Sequence, residues 1–375
     1  MRIGIEAQRL LRPHKHGMDI VAVETIRALA EHAQHEFVIF AKPDIAREGL
    51  PTTPNVRVVE LPGGPYPVWE QYALPKAVRQ HSIDLIHCTA NTAPLRPSAP
   101  LVLTLHDIIF LEKAIVGGNW YQRLGNLYRR WNVPRVVETA DCIVTVSHYE
   151  RQRIIDHLRV DPSRVVTVHN AVSKQFRVVE TADQVESIRQ QYKLPNEFIF
   201  FLGNTDPKKN VVGVLSALFL LKKEGLLTLP FVMANVSQAY VDGVLAQIGG
   251  QALASDIQLC GYIPNTVLPV VYNAATVFLC PSLRESFGLP ILESMACGTP
   301  VLTASTSAMP EVAGDAALLA DPASPDEMAH QLNQLLTSTA LRTDLRKRGL
   351  ERAALFSWQN TAKQLLTVYE QVTRH

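Results

Sequence analysis

The chain has 375 residues, more than one hydrophobic core ordinarily serves, so two domains are expected, each with its own interior. Its 36 Lys and Arg against 35 Asp and Glu leave no global basic field, which excludes a chain that gathers nucleic acid by charge. Five cysteines, Cys88, Cys142, Cys260, Cys280 and Cys297, form no close pair, and four lie in or beside apolar runs where a thiol packs as a small hydrophobe; this suits a reducing cytoplasm, not a disulfide framework.

The opening MRIGIEAQ carries Glu6 within a short apolar stretch and lacks the long apolar core of a signal peptide. RIGIEA (2–7), FVIF (37–40), VRVVE (56–60), IDLIHC (83–88), LVLTL (101–105), DCIVTV (141–146) and RVVTV (164–168) read as strands buried on both faces. Helical patterns at Val21–Ala30, Leu74–Gln80 and His148–Leu158 lie between several of them, the alternation that produces right-handed crossovers and a parallel sheet. HKHGMD (14–19) follows the first strand and precedes the first helix, so Gly17, with Met18 beside it, can bring backbone amides close to a ligand. LTLHD (103–107) sets His106 directly after a buried strand, where an imidazole serves as general acid or base, or as a capped core residue. WYQRLGNLYRRWNVPR (120–135) places Trp120, Leu124, Leu127, Tyr128 and Trp131 at helical spacing among Arg123, Arg129, Arg130 and Arg135. It reads either as an interior helix whose arginines snorkel or pair, or as a basic amphipathic helix lying on anionic lipid.

From about Asn170 to Lys193 the chain is more polar and carries no strand signal after Val172; this is the linker candidate, with a boundary near residue 173. The alternation restarts at EFIFFLG (197–203) and continues through PFVMA (230–234), DIQLC (256–260), TVFLC (276–280) and TPVLT (299–303), predicting a second domain of the same class. The longest apolar run, VVGVLSALFLL (211–221), is roughly half of the about 20 residues that span a bilayer, so no transmembrane segment is expected. SWQNTAKQLLTVYEQV (357–372) predicts a helix whose Ala362, Leu365, Leu366 and Tyr369 need a partner surface.

Two stretches of the second domain carry chemistry. In FLGNTDPKKN (201–210) a strand end leads to Gly203, which permits close backbone approach, then Asn204 and a turn, then Lys208 and Lys209 directly before an apolar helix. Ammonium groups at a helix start oppose its dipole, so the pair is either solvated or compensated by an anion such as pyrophosphate. In PSLRESFGLPILESMACGTPVL (281–302), Pro290 suits the first turn of a helix running from about Leu289 to Cys297. The amides of Phe287, Gly288 and Leu289 then point out of a helix N-terminus at the carboxyl edge of a parallel sheet, an anion site where open α/β sheets bind ligands. Glu285 reads as a partner of the helix dipole or as a ligand-binding carboxylate. Glu293, flanked by Ile291, Leu292, Met295 and Ala296, reads as a surface residue or as an acceptor for sugar hydroxyls. No Asp-x-Asp and no clustered His/Cys/Asp spacing occurs, so no metal is expected, and no G-x-G-x-x-G follows a strand, which disfavours a dehydrogenase.

Together these stretches resemble the family 4 retaining glycosyltransferases. Glu285 and Glu293 stand seven residues apart as in that family's E-x7-E motif; LGNTDPKKN is similar to its glycine–basic stretch, TLHD to its N-domain histidine motif, and GDAALLADPASPDEMAHQL (314–332) to the segment after E-x7-E. The resemblance implies the GT-B fold, an α/β pair of Rossmann-like doubly wound domains facing across a cleft: 1–172 on the acceptor side and 173–356 binding the nucleotide-sugar, with the helix of 357–375 returning to the first. It implies a nucleotide-diphosphate sugar donor with Glu293 on the ribose, Lys208 and Lys209 on the diphosphate beside Gly203 and Asn204, and the Phe287–Leu289 amides on the donor. The backbone near Tyr262 and Ile263 would meet the base, Glu285 would hold the transferred sugar, and His106 would approach that sugar from the first domain. The implied reaction is a retaining transfer of a hexose such as mannose to a saccharide or lipid-linked saccharide, without metal or cofactor, in the cytoplasm, with peripheral contact at the inner face of the membrane and no nucleic acid partner.

The chain also departs from the family. Asn204, Thr205 and Asp206 follow Gly203 where an arginine is common, and Lys208 lacks the guanidinium fork. The N-terminal loop reads Gly17-Met18-Asp19-Ile20-Val21 instead of Gly-Ile-Gly-Arg-Tyr; Asp19 would repel a phosphate, so Gly17 and Met18 are expected on the acceptor side. Ala171 stands where glycine is frequent. The alternatives are a GT-B nucleotide-sugar 2-epimerase, against which the E-x7-E spacing and its Gly-Leu-Pro turn argue, and a non-catalytic nucleotide-sugar-binding partner of another transferase.

Overall fold

The computed structural model describes residues 1–8, 10–11, 17–44, 50–112, 120–179 and 181–374. His14–His16 of the N-terminal loop and the Trp120 side chain therefore lie outside the described residues. The chain forms two compact units, Met1–Asn170 together with Trp358–His375, and Ala171–Ser357.

Among the described residues, the first unit has seven strands: β1 (Arg2–Glu6), β2 (Glu36–Ala41), β3 (Val56–Glu60), β4 (Leu85–Cys88), β5 (Leu101–Thr104), β6 (Cys142–Thr145) and β7 (Val165–Thr167). They pair in parallel in the order β3-β2-β1-β4-β5-β6-β7, so the winding reverses between β1 and β4. β4, β5 and β6 are buried at every residue, as continuous Val/Ile/Leu runs require when helices cover both faces. β3 corrects the expectation of burial on both faces: it is an edge strand and remains partly exposed throughout. The helix His148–Leu158 starts where Ser147 accepts from the Glu150 amide and stops at Arg159 in the left-handed region.

The helix Trp120–Thr139 buries Val133, Val136 and Val137, while Leu124, Leu127 and Trp131 stay 55%, 63% and 44% exposed. The apolar residues noted at helical spacing are thus largely not the buried ones, and the interior-helix alternative does not hold for them. Tyr128 is the exception; it turns inward and its hydroxyl donates to the buried Glu70 carboxylate.

The helix Trp358–Thr373 belongs to the first unit and packs against the helix Gly17–Ala30, burying Trp358, Ala362, Leu365, Leu366 and Tyr369. Each such large apolar side chain contributes about 1.5–3 kcal/mol. The Tyr369 hydroxyl lies 2.7 Å from His87 Nδ1, and His87 Nε2 lies 2.7 Å from Thr104 Oγ1 on β5. Burial pushes the His87 pKa down to about 3, so the ring is neutral and acts as a polar rivet between sheet and helix.

The second unit holds β8 (Ile199–Leu202), β9 (Phe231–Ala234), β10 (Ile257–Leu259), β11 (Val277–Cys280), β12 (Val301–Ala304) and β13 (Leu318–Ala320), all parallel in the order β10-β9-β8-β11-β12-β13. The winding reverses between β8 and β11, which leaves a crevice at their carboxyl ends. β10 is an edge strand and only partly buried, a second correction to the two-faced burial expected. The stretch read as a linker contains the helix Ala182–Tyr192, which packs on the helix Leu268–Ala274. None of its residues is fully buried, which explains why its sequence carries so weak a pattern. Among the described residues, no helix is long and apolar enough to cross a membrane.

Candidate functional site

The loops that leave β8 and β11 meet at the reversal point of the second sheet. Lys209, in the single turn Pro207–Lys209, donates from Nζ to Glu285 Oε1 at 2.7 Å, with side chains only 18% and 15% exposed. Ser282 Oγ donates to the same oxygen at 2.9 Å, and the Glu285 amide donates to Ser307 Oγ at 3.1 Å. Burial alone would lift the Glu285 pKa, but the Lys209 charge and hydrogen bond overcome it and hold the carboxyl below its usual range. Burial likewise opposes the charged form of Lys209, and Glu285 outweighs it, so the pair is ionised at neutral pH.

Asn210 locks the loops together. It adopts φ 60°, and its Nδ2 donates to the carbonyls of Pro281 at 3.0 Å and Pro322 at 2.7 Å, joining the segments that follow β8, β11 and β13. A side chain at Gly213 would collide with it, since a Cβ there would sit 2.5 Å from Asn210 Oδ1. The Leu283 amide completes the junction by donating to the Lys208 carbonyl at 2.8 Å.

The helix Leu289–Ala296 starts after Gly288, whose φ of 99° is open only to glycine. Among the described residues no protein acceptor takes the amides of Gly288 and Leu289, so two donors and the positive end of the helix dipole face the crevice. Glu293, one turn in, accepts a 3.3 Å bond from the buried Tyr272 hydroxyl. Burial pushes its carboxyl up to about 7, outweighing the Tyr272 hydrogen bond and the Lys209 charge, both of which pull it down.

Two family models match the chain. The one described as "Glycosyl transferases group 1" covers residues 184–352, and "Glycosyltransferase Family 4" covers 16–176. The chain belongs to glycosyltransferase family 4. Among the relatives of this family member, the O-antigen chain mannosyltransferase B of Escherichia coli is 33% identical over 65% of the chain and 64% of its own length. The serotype-specific mannosyltransferase WbdA of Escherichia coli is 32% identical over 60% of the chain and 28% of its own length. The matched part thus spans less than two thirds of either relative. Among solved structures, HepE from Anabaena in complex with UDP superposes with a TM-score of 0.75 at 18% identity, over 99% of this chain and 100% of the other. That likeness establishes the GT-B fold, two parallel-sheet α/β domains. Neither of the E. coli relatives is a 2-epimerase or a non-catalytic partner by name.

In this family 4 protein the glycine–basic stretch makes contacts of its own. Lys208 and Lys209 lie directly before the helix Val211–Lys223, in a turn joined to it by Asn210, and each already faces a carboxylate, Asp206 at 3.7 Å from Lys208 and Glu285 from Lys209. Their charge is therefore partly compensated from within. Gly203 has a packing reason of its own: a Cβ there would lie 2.6 Å from the Phe201 ring and 2.8 Å from Val236. Asn204 is exposed and caps its own turn by accepting from the Asp206 amide.

The remaining residues sit as follows. Phe287 is buried, its ring edge-on to Phe356. Beyond β10, Tyr262 is 74% exposed while Ile263 is buried. In the first unit Gly17 and Met18 form the first turn of their helix, with open space around the Gly17 α-carbon. His106 is buried beyond β5; its amide donates to Asn91 Oδ1 at 2.6 Å and its Nε2 lies 2.9 Å from the Thr89 carbonyl. Burial lowers its pKa, so it is a neutral imidazole that donates from Nε2 and keeps a lone pair on Nδ1.

Four members of the site escaped the sequence reading: Asn210, Tyr272, Ser282 and Ser307. Asn210 left a trace, since asparagine directly before an apolar helix suits a left-handed residue. Tyr272 left another, because a tyrosine inside the apolar LPVVYNA needs a partner for its hydroxyl. Ser282 and Ser307 left none.

Proposed function

We propose that this chain is a retaining, metal-independent hexosyltransferase that moves mannose from a nucleotide-diphosphate sugar to a saccharide or lipid-linked saccharide at the cytoplasmic face of a membrane. The observation that carries the reading is the meeting of Lys209 and Glu285 across the β8/β11 reversal, beside the unpaired amides of Gly288 and Leu289. In this reading Lys208, Lys209 and the Phe287–Leu289 amides receive the diphosphate, Glu293 the ribose, the backbone at Tyr262 and Ile263 the base, and Glu285 the hexose. His106 accepts a sugar hydroxyl at Nδ1, and Gly17 and Met18 lie on the acceptor side. The names of the E. coli relatives support mannose, and the UDP held by HepE supports a nucleotide donor.

The chemistry follows from the charges. Breaking the bond between C1 and the phosphate oxygen leaves negative charge on the diphosphate, where a preplaced ammonium and amide dipoles lower the barrier without a metal. The acceptor oxygen bonds to C1 on the same face, and its proton passes to the departing phosphate. Lys209 must then divide itself between diphosphate and Glu285, whose carboxylate keeps the Ser282 hydroxyl.

The test has two stages. A thermal-shift panel of GDP, UDP, dTDP and ADP should raise the melting temperature with one base preferred, since only a bound ligand stabilises. The matching nucleotide-sugar should then be slowly hydrolysed, and K209A should lose about 100-fold or more of that rate while still folding. A protein that no nucleotide stabilises, or a folded K209A with undiminished hydrolysis, would overturn the reading.

A further inference from the structure

Among the described residues, seven non-glycine residues have φ between 49° and 68°. Arg159 and Lys193 end helices, Ser82 follows one within two residues, and Asn91, Asn210 and Asn235 belong to the residue type that tolerates this region best. Ser307, at φ 53°, fits none of these cases. It sits in the loop after β12, ahead of the short helix Met309–Ala313, in a conformation glycine would occupy without steric cost. A strained residue that persists needs something holding it, and the bond its side chain makes is with the site: Ser307 Oγ accepts from the Glu285 amide at 3.1 Å.

The position of that bond matters because of what else holds Glu285. Its carboxylate rests on Lys209 and Ser282, and its main chain on Ser307. If Lys209 turns toward a diphosphate, one of the three supports weakens at the moment the carboxylate has work to do. The tether from β12's loop is independent of ligand charge. The short helix that follows this loop also lies against the turn from Glu285 into the helix Leu289–Ala296, because a Cβ at Gly288 would come within 3.8 Å of Met309.

We propose that Ser307 is a positioning residue: its hydroxyl fixes the Glu285 main chain from the neighbouring strand's loop, and the backbone strain at φ 53° is retained for that contact. The proposal rests on the reading of Glu285 as the carboxylate that holds the transferred sugar.

Its test separates the two. Amide hydrogen exchange on the full chain, without substrate, should show the Glu285 amide protected in the native protein and exchanging about tenfold faster in both S307G and S307A. An amide as fast in the native protein as in the variants would overturn the tether. Hydrolysis of GDP-mannose, with UDP-glucose as second probe, should fall about fivefold to tenfold in kcat at unchanged KM in S307G and S307A. S307N, at ease in the left-handed region and able to accept through its carboxamide oxygen, should recover most of it. Stability should move the other way in S307G, whose melting temperature should stay level or rise by about 1–3 °C because the strain is gone, while S307A should melt lower. A loss of kcat that merely follows the melting temperature, or full activity in all three variants, would overturn the positioning role. Should E285Q itself hydrolyse these donors at the native rate, the role given to Glu285 fails, while the exchange measurement still decides the tether.

Discussion

Glu293 carries the clearest consequence of a single environment. Its carboxyl is pushed up to about 7 by burial, against the opposing pull of the Tyr272 hydroxyl and the Lys209 charge, whereas in the unfolded chain it titrates near 4.5. Between those values the folded protein keeps a proton that the unfolded chain releases, so stability falls as pH rises through this window and stays lowered above it. E293Q should therefore match the native protein at pH 4.5 and exceed it above pH 7 by an amount on the order of 2 kcal/mol, read as a melting difference that opens with pH. A difference independent of pH would refute the assignment. The two glutamates were legible in the sequence because a Phe-Gly-Leu-Pro turn between apolar runs fixes where a helix begins. Their unlike states were not legible. Lys209 lies 76 residues from Glu285 in sequence, and only the parallel pairing of β8 with β11 makes one carboxylate paired and its neighbour lone.

At the scale of elements, strands buried on both faces announced themselves as continuous apolar runs. The three-residue β13, in the alanine-rich GDAALLADP, offered too short a run, and the helix Ala182–Tyr192 buries no residue completely and so has no strong periodicity. The helix Trp120–Thr139 shows a subtler limit. Spacing put Tyr128 in one stripe with Leu124, Leu127 and Trp131, but Glu70, carried on the π-helical turn Trp69–Ala73, draws the Tyr128 hydroxyl inward, where Gln71 Nε2 also donates to it at 2.8 Å. The rest of the stripe faces out, with Arg123 exposed and Arg135 stacked 5.3 Å over the Trp131 ring. The helix has no acidic residue before Glu138, so its charge favours an anionic bilayer, in keeping with the lipid-linked acceptor proposed above. Sedimentation with vesicles containing phosphatidylglycerol should retain the native chain more than neutral vesicles do, and L127E/W131E should lose about tenfold or more of that partitioning. Donor hydrolysis in solution should be unchanged. Equal sedimentation of native and variant chains would dismiss the contact, and a native dimer that the variant splits would assign the stripe to a second copy.

For the whole molecule, both sheets follow one winding rule, with the order reversing once between the first strand and the fourth. Alternating runs in the sequence predicted that repetition, and it places the polar loops without any knowledge of the ligand. The units should also separate thermally. A nucleotide should raise the melting of the second unit, whereas removing 358–375 should lower that of the first, because the helix supplies Trp358, Leu365, Leu366 and the Tyr369–His87 rivet. A deletion that left both transitions in place would show that this helix contributes little to the first unit.

That helix has a temporal consequence too. The 187 residues of Ala171–Ser357 are translated between the first unit's sheet and the helix that covers its flank. At ribosomal speeds of about 5–20 residues per second, the nascent sheet waits roughly 10–40 s with the seat for Tyr369 bare. During biosynthesis the second unit can finish first, and the first can close only afterwards.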